Sequence, residues 1–504
     1  MAEMKLQLPS TVADNIDRFT GRTWLLPILL KWYVETTDRL FLLTGEPGTG
    51  KSMIMDWLAG AGPVPANAEE QTQLEHLRTQ VTAVYFCIAS GTTDPKDMAR
   101  QMAEQLTRNV PGFGKALTTT LGDQVQIVSK QQIGRVETGG SVTGIYIGSL
   151  NLGNLSEELS FNRILSDPLK QLYTDGYNES MLLLVDALDE ALTYTGGTNI
   201  VQLLAKLTDL PPQVRILVTT RSDPRVRMLL PKAQSFDLIK DAPQDIDDVQ
   251  QYVLEQLAAK DGLEPDRRTE WATRLSQAAK GVFLYAYMVL ADLLPRLPQI
   301  PELENYPLPN GLSGLYSDFL NRELGQDDDR WYESFRPVLG LIAVAQGEGL
   351  TQTQLKRICQ KDVEQHVRKC MQYLTGDLPD GPFRVFHKSF ADFLLVDPDN
   401  VHHHIDASTM HQQIVDYYWG KLPNWREAKW ERMDQYSMQF TTAHLIDAQK
   451  YEEAFQLVIQ SPNWYKARFE REGSDVGYLN DLERVWAWAE SEESWNLGRQ
   501  LRCA

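Results

Sequence analysis

The segment Gly45-Glu46-Pro47-Gly48-Thr49-Gly50-Lys51-Ser52 fits the pattern G-x-x-x-x-G-K-[ST] at every position. That spacing suits the grip on a polyphosphate. Glycines let backbone N–H groups curl round the phosphates, and a following helix adds the positive end of its dipole. Lys51 supplies a point charge for the β- and γ-phosphates, and Ser52 a hydroxyl for Mg²⁺. The binding segment is taken as Gly45 through Met53. A second run, Met181–Glu190 (MLLLVDALDE), places Asp186 at the end of an apolar stretch, as a further Mg²⁺ ligand. Asp189 and Glu190 follow, where a carboxylate can position and deprotonate an attacking water; Glu190 is the favoured base. In a third run, Ile216–Pro224, a strand ends in Thr219-Thr220-Arg221. The Arg221 guanidinium either reads the γ-phosphate or pairs with the acids of the second run.

The elements that must hold these groups are legible as short apolar runs. Leu40–Leu43, Val81–Cys87, Met181–Asp186, Val214–Thr219 and Ser235–Ile239 read as buried parallel strands, with helical stretches between them. The alternation predicts an α/β domain with a parallel sheet over residues 20–240. The Asp186 strand does not follow the phosphate-loop strand directly, which favours the additional-strand class of P-loop ATPases. A Gly-rich segment at about 122–155 reads as a hairpin-like insertion. Residues 1–19 are too few for a domain.

Beyond residue 240 the strand signals stop. Residues 241–304 read as a helical domain, with a Pro-rich linker that includes Pro295, Pro298, Pro301, Pro307 and Pro309. Residues 305–404 read as helices with a small β wing near Arg384–His387, a winged-helix pattern. Residues 405–504 read as a helical connector carrying seven of the twelve Trp, whose rings either pack helices together or present a docking surface. His402, His403 and His404 with His411 lack an acidic or thiol cage at ligand spacing, so a polar structural role is expected.

The whole chain has 504 residues, enough for three or four domains. Its net charge of -19 disfavours a protein that coats nucleic acid or anionic membrane. Cys87, Cys359, Cys370 and Cys503 form no C-x-x-C pair, which fits a reducing compartment. No stretch reads as a signal peptide or a membrane span, so a cytoplasmic location is expected.

Together these residues resemble the STAND signal-transduction ATPases in their NACHT and apoptosome-like form. TGEPGTGKS, LLLVDALDEA and ILVTTRSDP are similar to that family's Walker A, Walker B and sensor segments. Phe19-Thr20-Gly21-Arg22 is similar to its opening motif, and Val385–Leu394 (VFHKSFADFL) to the winged-helix signature of bacterial and fungal members with WD repeats. The resemblance implies a switch. ADP holds the resting state closed, ATP-Mg exchange opens it, hydrolysis is slow, and the opened ATPase domains self-associate. It also implies that Gly21 and Arg22 lie beside the adenine and that His387 touches the nucleotide phosphate. A repeat sensor and an effector, for signalling or defence, are the implied partners. The chain reads as a core cut from such a protein, or else sensor and effector act in trans. Gly281-Val282-Phe283 lacks the Pro that the family often places near adenine.

Two other functions fit parts of the pattern. A DNA-associated ATPase with a winged helix needs a basic wing, yet residues 305–400 hold 10 Lys/Arg against 14 Asp/Glu, a net of -4. A non-hydrolysing nucleotide-binding scaffold would be insensitive to loss of Glu190.

Overall fold

The computed structural model describes residues 6, 19–88, 93–121, 126–129, 147–151, 156–194, 197–207, 209–259, 263–296, 306, 308–324, 328–419, 430, 433–472 and 476–491. It divides into two units, Met1–Ala286 and Tyr287–Ala504. Residues 1–5 and 7–18, most of the Pro-rich linker, Trp425 and Cys503 lie outside the described residues.

The first unit is built on five parallel strands. They are β1 (Leu40–Thr44), β2 (Val81–Phe86), β5 (Met181–Asp186), β6 (Val214–Thr220) and β7 (Gln234–Asp237), in the order β2-β5-β6-β1-β7. Every residue of β2 and β5 is buried, because helices cover both faces and leave no side for polar alternation. One face packs Leu25, Leu29 and Trp32 of α1 (Leu25–Glu35) and Ile54 and Trp57 of α2 (Lys51–Leu58) on the sheet. The other packs Met98, Met102 and Leu106, Leu165 and Leu169, and Leu203 and Leu204. The Gly-rich insertion contributes β3 (Gln126–Ser129) and β4 (Ile147–Asn151), an antiparallel pair; its other residues lie outside the described ones.

β6 lies between β1 and β5, with Leu40 opposite Ile216 and Met181 opposite Val214. An additional strand therefore separates the phosphate-loop strand from the Asp186 strand, as the sequence predicts. β7 begins and ends earlier than its apolar run suggests. Asp237 Oδ1 accepts the Ile239 N–H at 3.0 Å and closes a turn there. Helices Asp248–Ala258 and Pro265–Ala279 complete the unit, followed by the start of the helix Phe283–Leu293.

The second unit is mainly helical. Tyr316 is fully buried in it, its ring 5.0 Å from Phe390 and its hydroxyl 2.7 Å from Ser389 Oγ. In the stretch that the sequence reads as a wing, Leu374–Thr375 pairs antiparallel with Arg384–Val385, and a bridge joins Leu350 to Phe383. Between helices Ala407–Trp419 and Gln435–Asp447, His411 Nδ1 meets His444 Nδ1 at 2.7 Å. His403 instead packs edge-on to Trp331, so the histidines singled out in the sequence belong to different clusters. Among the described residues no helix is long and apolar enough to cross a membrane.

Candidate functional site

β1 ends at Thr44 and α2 starts at Lys51, so the loop between them turns back over the C-terminal edge of the sheet. Gly48 has φ 80°, and a Cβ there would sit 2.6 Å from Leu284 Cβ, so a side chain is excluded twice over. Gly50, at φ 91°, caps α2. Thr49 closes the loop through its N–H and its hydroxyl, both donated to the Glu46 carbonyl at 3.3 and 2.9 Å. Lys51 Nζ donates to the carbonyls of Gly45 and Glu46 at 2.7 and 3.0 Å. Burial brings the Lys51 ammonium down to about 8, against the opposing pull of Asp189 and Asp186.

Asp186 comes to the same place from β5. It is 4% exposed, and the Ser52 and Thr219 side chains hydrogen-bond its carboxyl. Burial raises its proton affinity, and these bonds and Lys51 work against that rise. The next residue, Ala187, has φ 52° and donates its N–H to Thr219 Oγ1 at 2.9 Å. Thr219 thus fixes both the carboxylate and the turn after it. Its place as the penultimate residue of a buried strand was the available signal, and sequence reasoning gave it no role.

Arg221 leaves the end of β6. Its N–H donates to Asp189 Oδ1 at 2.9 Å, and its Nε stands 3.3 Å from Asp189 Oδ2. Its Nη2 is 3.9 Å from Glu190 Oε1. Of the two roles the sequence left open for Arg221, this arrangement corresponds to pairing with the acids. Asp189 and Glu190 lie on the 3-10 turn Leu188–Thr193, with Glu190 7% exposed. Lys51, Ser52, Asp186, Asp189, Glu190 and Arg221 therefore converge at one sheet edge.

Asp56, one helical turn beyond Ser52, was not anticipated. It is 1% exposed with no hydrogen-bond partner for either carboxyl oxygen, and burial, with a smaller contribution from Asp186, pushes its proton affinity up to about 8.

The resemblance sets Gly21 and Arg22 beside adenine and His387 at the nucleotide phosphate. Arg22 is 4% exposed and turned onto protein groups: Nη2 donates to the Thr49 carbonyl at 3.0 Å and Nη1 to the Leu238 carbonyl at 3.2 Å. The guanidinium lies 5.1 Å from the Phe283 ring centroid and 5.6 Å from that of Trp24. His387 belongs to the second unit, where its Nδ1 accepts the Ser389 N–H at 3.1 Å and caps the helix Lys388–Leu395.

This donor set fits a magnesium nucleotide. A hydroxyl and buried carboxylates are the hard oxygen ligands that Mg²⁺ prefers, and Lys51 is held at the loop it would have to serve.

Residues 22–137 match the family of the nephrocystin 3 N-terminal region. The match begins at Arg22 and includes the phosphate loop and β2, but covers less than a quarter of the chain. Among solved structures, the chain is similar to a signal transduction ATPase with numerous domains (STAND) protein with a tetratricopeptide repeat sensor, from Pyrococcus horikoshii. The identity is 12% and the TM-score 0.37, over 96% of this chain and 64% of that one. The chain thus spans just under two thirds of the length of that protein. No curated protein matches the chain.

Proposed function

We propose that the chain is a nucleotide-dependent switch of the STAND class, in its NACHT form. It binds ADP at rest, exchanges it for ATP-Mg and hydrolyses ATP slowly. The observation that carries this reading is the convergence at one sheet edge of a glycine-rich loop, Lys51, Ser52 and three acids, with Arg221 beside them. A strand-loop-helix alone would bind phosphate; the acids at and just beyond the end of β5 supply what hydrolysis needs.

In this reading Lys51 transfers its hydrogen bonds from the Gly45 and Glu46 carbonyls to phosphate oxygens. Ser52 and Asp186 would hold Mg²⁺, which when bound would supply charge neutralisation for the phosphates. Glu190 orients the attacking water and takes its proton, while Asp189 holds Arg221 at the edge.

The remaining assignments belong to the same proposal. Residues 241–304 form a helical domain, 305–404 a winged helix that contributes His387, and 405–504 a connector toward a repeat sensor, with WD repeats the favoured type. Self-association follows opening, in signalling or defence.

The test is ADP binding. Purified protein should carry ADP or bind it tightly in calorimetry, and Lys51→Ala should weaken that binding by a hundredfold or more, on the order of 3 kcal/mol. Equal affinity in the two proteins would defeat the reading.

A further inference from the structure

Arg22 and Asp248 are both buried, 4% and 7% exposed, and are 3.5 Å apart at Nη1 and Oδ2. Asp248 is the first residue of the helix Asp248–Ala258 and accepts the Trp24 indole N–H at 2.8 Å. Arg22 therefore joins three places far apart in sequence: the Thr49 carbonyl in the phosphate loop, the Leu238 carbonyl beyond β7, and the start of a helix. The geometry is enforced locally. Gly21 has φ 72°, and a Cβ there would lie 2.4 Å from Asp248 Oδ1. Arg22 itself has φ 63°, a backbone position that a non-glycine residue holds only when its contacts compensate for the strain.

The contact with Thr49 bears on the phosphate donors. In a trans peptide the C=O and the next N–H lie in one plane and point in opposite directions. By holding the Thr49 carbonyl, Arg22 turns the Gly50 N–H to the far side. The Leu284 N–H does the same one peptide earlier, donating to the Gly48 carbonyl at 3.0 Å, and the Thr49 N–H accordingly faces Glu46. Two successive loop amides are thus oriented by bonds made on their other side.

We propose that Arg22 and Asp248 form a clamp that couples the amide orientation of the phosphate loop to the helix Asp248–Ala258, with Arg22 a positioning residue for phosphate rather than an adenine contact. A displacement of that helix would withdraw Asp248 from Arg22 and release the Thr49 peptide. Only the nucleotide arm of the test rests on the function proposed above.

The experiment uses Arg22→Lys in the full chain. Lysine keeps the charge beside Asp248, but a single ammonium cannot span the Thr49 carbonyl, the Leu238 carbonyl and the carboxylate as the guanidinium fork does. In nucleotide-free protein, amide hydrogen exchange should rise in both 45–52 and 248–258, and fluorescent ADP should bind about tenfold more weakly, the loss expected for one hydrogen bond from a charged donor. Asp248→Asn, which keeps an acceptor for Trp24, should raise exchange in the same two segments, and serves if Arg22→Lys does not fold. Faster exchange in one segment alone, or unchanged ADP affinity in a variant of lowered melting temperature, would overturn the clamp. If wild-type protein binds no ADP, the proposed function fails, and exchange in the two segments alone decides the clamp.

Discussion

The sheet edge of the first unit and the His411–His444 cluster of the second both bury polar side chains, and they satisfy them differently. At the edge, Lys51 leans on two loop carbonyls, and Asp186 shares its carboxyl between Ser52 and Thr219. These groups are charged types whose present bonds can be exchanged for bonds to a ligand. In the second unit the bonds run in a closed direction. The Gln346 N–H donates to the Tyr436 hydroxyl at 3.1 Å, and that hydroxyl reaches His444 Nε2 at 2.8 Å. With neutral rings, Tyr436 donates to His444 and His444 Nδ1–H donates to His411, leaving the His411 Nε2–H toward Asp447 at 3.7 Å. Such a network orders helices and leaves little for a ligand to take.

That contrast can be broken at either end. The largest effect is expected for Glu190→Gln, which should lower ATP hydrolysis about a thousandfold while leaving ADP affinity and melting temperature near wild type. A steady-state phosphate-release assay beside a melting curve checks this; turnover that persists would move the base elsewhere, or make the site a scaffold.

Asp56 tests the edge from behind. Its folded proton affinity is raised from 3.8 to about 8, so the folded chain keeps a proton that the unfolded chain releases. The stability it contributes is present below pH 3.8 and is lost as pH rises toward 8. Asp56→Asn removes that loss. Nucleotide-free wild type should fall in stability relative to Asp56→Asn by on the order of 3 kcal/mol between pH 5 and 8, measured by urea unfolding. Parallel pH curves would show that the carboxyl is not held neutral.

The smallest effect belongs to the histidine pair. Burial lowers the proton affinity of both rings, and His411 further disfavours a charge on His444. Depressed values mean stability present above pH 6.5 and lost as pH falls below it. Wild type should lose about 1 kcal/mol or more from pH 7 to pH 5, and His411→Gln with His444→Gln should flatten that slope without changing ADP affinity. An effect on ADP would erase the distinction between the two clusters.

The contrast also explains what could be read in the sequence. β1, β2, β5 and β6 stand where their apolar runs predict, because a strand covered on both faces has no polar alternation to blur it. The meeting of Lys51, Ser52 and Asp186 was legible because their positions depend on neighbours within a strand-loop-helix or on a strand end. Asp248 was not, since its partners Arg22 and Trp24 are more than 220 residues away in the chain. Asp56 reads as the polar position of a short helix, and only the packed structure shows that it faces inward with Ser52. The His411–His444 contact likewise depends on how two helices cross, which residue spacing does not encode.

The strand interposed between β1 and β5 works as a gauge. Neighbouring strands are about 4.8 Å apart, so two steps set the phosphate-loop strand and the Asp186 strand about 10 Å apart. The extra strand ends at the same edge and sets two more side chains between them, Thr219 bonded to Asp186 and Arg221 beside Asp189.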